Sequence, residues 1–153
     1  MALPQIGEMA PDFELNTDSG ETLRLSEFRG KRVVLYFYPR ADTPGCTTEA
    51  CGFRDDFSIY QEKDAVIIGI SPDTVKKQSS FKGKYNLQFP LLADTDHKVA
   101  EMYGVWQLKK MMGREYMGIV RTTFIIDKTG KISHVFEGVK PKTHSGEVLE
   151  ALG

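Results

Sequence analysis

The chain has 153 residues, 41% of them hydrophobic and 27% charged, with a mean hydropathy of −0.32. That composition excludes a disordered or fibrous main state and, at this length, leaves enough apolar material for one core, so a single domain over residues 1–153 is expected. Lys and Arg total 20 against 21 Asp and Glu, a formal charge of −1, which gives no net attraction to nucleic acid or to an anionic membrane surface and makes neither an expected partner.

The opening Met-Ala-Leu-Pro-Gln-Ile-Gly-Glu has neither a basic segment nor an apolar signal core. A cytoplasmic location is expected, or one reached through a transit peptide trimmed away. Next, Phe13 and Leu15 alternate with polar neighbours, as do Leu23 and Leu25, around the turn residues Asp18, Ser19 and Gly20, which predicts an N-terminal β-hairpin. Val33 to Tyr38 is apolar on both faces, the pattern of a central strand covered above and below, and it stops at Pro39. After a polar loop, Thr43 is suited to an N-cap and Pro44 to the first helical turn, so one helix is expected from there to about Gln61.

Ala65 to Ile70 reads as a second buried strand, and Ser71-Pro72-Asp73 offers a cap for a helix over Val75 to Tyr85. Phe89 to Leu92 begins a third, short strand, and His97 to Tyr103 is a short helix stopped by Gly104. The Lys109-Lys110-Met111-Met112 stretch is expected to be a mobile connection. Thr122 to Ile126, the turn Asp127-Lys128-Thr129-Gly130, and Lys131 to Glu137 predict a second hairpin, and Thr143 to Leu152 a closing helix. Both apolar runs are far below the about 20 residues of a membrane span. The order of elements is that of an α/β, thioredoxin-like fold, a central mixed β-sheet with helices on both faces.

The chemistry concentrates at Cys46. It follows a strand and lies in the first turn of a predicted helix, where unpaired amides and the positive end of the helix dipole favour an anion, so a thiol there loses its proton more easily. Thr43 and the backbone amides of Gly45 and Cys46 are the local hydrogen-bond donors for a departing oxygen. The alternative is a small apolar core residue, disfavoured because capping turns are usually solvent-accessible.

Cys51 lies five positions further along the same helix. On an intact helix the two α-carbons stand roughly 8.7 Å apart and about 140° round the axis, beyond the about 7 Å a disulfide tolerates. The pair therefore reads as a switch that needs local unwinding, or else Cys51 is an inert packed thiol. Two cysteines are too few for a disulfide scaffold or a four-thiolate zinc site, and no metal is expected.

Pro39-x-x-x-Thr43-x-x-Cys46 resembles the active-site signature of the peroxiredoxins, and Cys51 at this spacing resembles the subgroup named for bacterioferritin comigratory protein, or peroxiredoxin Q. The likeness extends over nearly the whole chain, through Ala10-Pro11-Asp12-Phe13, Tyr36-Phe37-Tyr38-Pro39, Gly69-Ile70-Ser71, Phe89-Pro90-Leu91-Leu92-Ala93-Asp94, Tyr103-Gly104-Val105-Trp106 and Arg121-x-Thr123-Phe124-Ile125-Ile126-Asp127. The resemblance implies a thiol peroxidase without cofactors, reducing hydrogen peroxide and organic hydroperoxides. Cys46 would be the peroxidatic nucleophile, oxidised to a sulfenic acid, and Cys51 the resolving cysteine that closes a Cys46–Cys51 disulfide for thioredoxin or a glutaredoxin-like reductant to open. Thr43 would bond the peroxide, Pro39 shield the thiolate, Arg121 hold the anion and polarise the substrate, and Glu49 orient the arginine.

Taken alone, Arg121 at a strand head reads as a surface residue and Glu49 as a solvated helix residue. His97, His134 and His144 share no ligand spacing and are expected at the surface or in turns, and Trp106 is expected beneath or beside the site. No dinucleotide fingerprint follows the buried strands. A thioredoxin-like disulfide reductase is disfavoured by the lack of Cys-x-x-Cys, whereas a redox sensor or chaperone stays open beside the peroxidase. A monomer or weak dimer is expected.

Overall fold

The computed structural model describes residues 3–153. Its strands are β1 (Glu14–Thr17), β2 (Thr22–Arg24), β3 (Arg32–Phe37), β4 (Ala65–Ser71), β5 (Leu91–Ala93), β6 (Trp106–Met111), β7 (Arg114–Ile119), β8 (Thr122–Ile126) and β9 (Ile132–Glu137). Its helices are α1 (Pro44–Asp55), α2 (Phe57–Glu62), α3 (Val75–Tyr85), α4 (Lys98–Met102) and α5 (His144–Leu152). Seven strands form one mixed sheet in the order β2-β1-β5-β4-β3-β8-β9, and β6 with β7 forms a separate hairpin.

The apolar run of β3 takes the central place because it is paired on both edges, parallel to β4 (Leu35 opposite Ile68) and antiparallel to β8 (Leu35 opposite Phe124). The two-residue alternation of a strand then divides its side chains between two cores. Val33, Leu35 and Phe37 face a cluster with Val99, Ala100 and Tyr103 of the α4 region. Val34, Tyr36 and Tyr38 face the other, with Cys46, Ala50 and Phe53 of α1, Tyr60 of α2, Phe81 of α3 and Val148 of α5. Phe53 touches Tyr36 and Phe89, with ring centroids 4.8 and 6.4 Å apart. Truncating so buried an aromatic to alanine costs about 3–5 kcal/mol, so this ring is a substantial part of what seats α1 on the sheet, beside Cys46 and Ala50.

The thioredoxin-like arrangement expected from the order of elements is the one found, with local differences. The single helix expected from Thr43 to Gln61 is broken at Asp56, whose φ of −98° and ψ of 8° end α1 before α2 begins. No glycine or proline marks the break. It is held from outside, where Ser145 Oγ on α5 donates to Asp56 Oδ2 at 2.7 Å and Tyr60 OH on α2 donates to the Ser145 carbonyl at 2.9 Å. The cap of α3 is Thr74, which accepts from Lys77 N, so Ser71 and Asp73 are left for other partners.

The stretch expected to be a mobile connection is the β6–β7 hairpin, closed by Met112 and Gly113, both at positive φ. Its alternation was obscured because both faces project from the main body, leaving Leu108, Met111, Met112 and Met117 exposed. Trp106 stacks on His97 with ring centroids 4.0 Å apart and packs against the core opposite Cys46, not beside it.

Candidate active site

Thr43 ends the loop after β3 in an extended conformation (φ −98°, ψ 156°), and α1 starts at Pro44. Gly45 and Cys46 therefore occupy the first turn, where backbone amides have no intrahelical acceptor. The Thr43 hydroxyl does not cap the helix; it donates to the Arg40 carbonyl at 2.8 Å and braces the loop instead. Pro39, half-buried, closes the strand end from which this loop leaves.

Cys46 is not at an accessible turn, as the capping position suggested, but 1% exposed among Val34, Tyr36, Tyr38, Ala50 and Phe53. Arg121 and Pro141 flank the first turn of α1 at Gly45. A Cβ on Gly45 would lie 3.1 Å from Arg121 Nη2 and 3.7 Å from Pro141 Cγ, so glycine allows the guanidinium to lie close over the helix backbone.

Arg121 directly precedes β8, which the β3 register places beside the end of β3 (Phe37 opposite Thr122). From there Nη1 reaches Cys46 Sγ at 3.4 Å and Glu49 Oε1 at 2.8 Å. Three residues distant in sequence, or one helical turn apart, thus meet in one contact group. Burial alone would lower the arginine's affinity for its proton, but the sulfur and the carboxyl beside it hold the pKa above the ordinary value.

Glu49 is fully buried. Burial pushes its pKa up to about 7, and Arg121 offsets only part of that. Its Oε2 has no partner, nor has the equally buried Tyr36 hydroxyl, which lies within electrostatic reach of Glu49, Cys46 and Arg121. Burial thus draws the carboxyl towards its neutral form while it orients Arg121, whose Nη1 faces the sulfur as well.

Cys51 is half-buried on the same intact helix, and both cysteines are free. Helical geometry keeps their α-carbons roughly 8.7 Å apart, outside disulfide reach. His144 is not at the surface, as its scattered position suggested. It is 1% exposed, shares a 2.7 Å hydrogen bond with Thr123 Oγ1, and packs edge-on against Phe53. Burial first, and then Arg121, pushes its pKa down to about 4. No local signal in the sequence marks it, because its partners come from β8 and α1. His97 and His134 lie where expected, partly exposed.

Among the described residues, no cluster of three His, Cys, Asp or Glu side chains is placed to hold a metal ion, and no helix is long and apolar enough to cross a membrane.

A thioredoxin-type sheet with a helix-start cysteine held against an arginine defines the class of thiol-dependent redox proteins. Residues 6–135 match the AhpC/TSA family model, and the chain belongs to that family. It is 55% identical to peroxiredoxin Bcp of Bacillus subtilis (strain 168) over 148 residues, 97% of this chain and 94% of that one. It is 47% identical to peroxiredoxin Bcp of Escherichia coli (strain K12) over 146 residues, 95% of this chain and 94% of that one. Among solved structures, the Xanthomonas campestris bacterioferritin comigratory protein, captured as trapped intermediate and ligand complexes bearing on its alkyl peroxide reduction activity, superposes with a TM-score of 0.90. That chain is 32% identical, over 99% of this chain and 97% of its own. The protein is a thiol-dependent peroxidase of the peroxiredoxin type, the enzyme class the resemblance implied.

Proposed function

We propose that Cys46 is the peroxidatic thiol, that Arg121 holds its anion and the peroxide, and that hydrogen peroxide and alkyl hydroperoxides are the substrates. The thiolate attacks the nearer oxygen of ROOH, the O–O bond breaks, and RO⁻ takes a proton to leave as an alcohol or water while Cys46 becomes a sulfenic acid. In this reading the Gly45 and Cys46 amides would donate to that developing charge, and Thr43, whose hydroxyl is tied to the Arg40 carbonyl, would bond the peroxide once that tie is exchanged. The observation that carries this reading is the 3.4 Å contact from Arg121 Nη1 to a cysteine in the first turn of a helix. The alkyl peroxide reduction of the Xanthomonas campestris protein supports the substrate class.

In the second step the Cys51 thiol displaces hydroxide from the sulfenic acid, releasing water and forming a disulfide that a dithiol of the thioredoxin type reduces by exchange. Because α1 keeps the two cysteines apart, it unwinds between the steps. Both steps use residues of a single chain, Cys46, Glu49, Cys51 and Arg121, so no second copy is needed, and the protein is taken as a monomer or weak dimer of the cytoplasm.

The test is NADPH consumption with thioredoxin, its reductase and peroxide. Wild type turns over continuously, and Cys46→Ser, which keeps the size but lacks a readily formed nucleophilic anion, consumes none. Activity near wild type in that variant defeats the assignment, and a single equivalent of peroxide consumed by wild type, without turnover, marks a sensor in place of a scavenger.

A further inference from the structure

In the loop between β3 and α1, the residue before the cap, Asp42, has a φ of +58°, a left-handed conformation that aspartate tolerates better than most non-glycine residues. Two ties hold the loop there. On one side, the Asp42 carboxylate accepts from Tyr85 OH at 2.9 Å and Lys84 Nζ at 3.0 Å, both at the end of α3. On the other, the amide of Ala41 donates to Asp73 Oδ2 at 2.7 Å.

The first tie is exposed, whereas the second is rooted in the core. Asp73 is 8% exposed, and the same Oδ2 accepts from Ser71 Oγ at 2.6 Å. Ser71 Oγ in turn accepts from Gln78 Nε2 at 2.7 Å. That amide also donates to the Leu92 carbonyl at 2.8 Å, while Gln78 Oε1 accepts a hydrogen bond from the Tyr38 hydroxyl. Ser71, Gln78 and Tyr38 are each fully buried. A satisfied network of this kind has one low-energy arrangement, so it transmits the position of β4, β5 and α3 to a loop amide five residues before Cys46.

We infer that Asp73 is a positioning residue of the peroxidase site, its Oδ2 fixing the Ala41 amide so that Thr43 and the first turn of α1 meet the peroxide in one geometry. This rests on the assignment of Cys46 as the peroxidatic thiol. The requirement is for an oxygen acceptor and not for a charge, since both bonds end on one oxygen, which asparagine also supplies. No hydrogen bond joins the network to Cys46 or Arg121, and Tyr38 meets Cys46 only through the apolar cluster they share, so the thiolate keeps its charged partner when Asp73 is lost and the approach of the substrate is what is disturbed.

The test compares Asp73→Ala and Asp73→Asn with wild type by two readouts on reduced protein: the second-order rate of oxidation by hydrogen peroxide, and the pH profile of Cys46 alkylation by iodoacetamide. Asp73→Ala is expected to slow peroxide oxidation about ten- to a hundredfold, the scale of a misplaced reacting geometry. Its alkylation profile should stay within about twofold of wild type at every pH, and Asp73→Asn should restore the peroxide rate to within about threefold. The proposal falls if Asp73→Ala is oxidised at the wild-type rate, if Asp73→Asn is as slow as Asp73→Ala, or if alkylation slows in step with peroxide oxidation. Peroxide consumption surviving in Cys46→Ser is a separate result that removes the site assignment itself.

Discussion

Replacing Glu49 by glutamine isolates the electrostatic cost of orienting Arg121 from inside the core. In the folded protein the Glu49 pKa stands at about 7, against an ordinary 4.5, because burial outweighs the arginine. Between those two values the native state keeps a proton that the unfolded chain has released, so stability declines as pH rises. The contribution is fully present below 4.5 and is lost as pH passes through about 7. Across that window the loss amounts to about 3 kcal/mol, a large share of the 5–15 kcal/mol typical of a domain.

Glutamine keeps the size and an oxygen for Arg121 Nη1, and it cannot ionise. The unfolding free energy of Glu49→Gln minus that of wild type should therefore climb by about 3 kcal/mol between pH 4.5 and 8. Urea titrations of both proteins, fully reduced, at intervals of pH measure this directly. Taking the difference between the two proteins removes every other titrating group. A difference independent of pH would refute the argument. A difference that falls as pH rises would mean that Arg121 outweighs burial and that the carboxylate is the stable native form.

In Cys51→Ser, the first oxidation of Cys46 should survive while thioredoxin-linked turnover collapses, and mass spectrometry after one equivalent of peroxide should find sulfenic acid; rapid turnover would remove the resolving role. In oxidised wild type, amides from Cys46 to Asp55 should lose hydrogen-exchange protection while β3 and β4 keep theirs, since each helical bond given up contributes only about 1 kcal/mol. Unchanged protection in a sample verified to hold the disulfide would exclude unwinding. Arg121→Ala should slow peroxide attack by roughly 10²-fold, because the guanidinium at 3.4 Å is the charged donor nearest the reacting sulfur; a change under about threefold would place its role elsewhere. His144, neutral in the fold with a pKa near 4 against an ordinary 6.5, contributes stability that is complete above 6.5 and lost as pH falls through 4. His144→Gln should therefore lose less stability than wild type between pH 6.5 and 4, and parallel curves would show that the imidazole is not buried neutral.

The central strands, the helix start at Cys46 and the two cysteines on one helix are all legible in the order of residues. Those features rest on local rules: the all-apolar run of β3, a proline that cannot continue a strand, and a Thr-Pro start that suits a first helical turn. That order also held the two hairpins with clear turn chemistry. The β6–β7 hairpin was missed because the core that shapes a strand's alternation is absent there, and the break at Asp56 because Ser145 lies 89 residues away. The same reason separates Cys46 from its partners. Only the pairing of β3 with β8 brings Arg121 to the sulfur, only burial lifts Glu49 towards neutrality, and only the packing of α5 on α1 turns His144 inward. Residue types and local spacing state which groups are available for chemistry. Charge state and contact depend on desolvation and on distances between remote segments, and these exist only once the sheet has assembled.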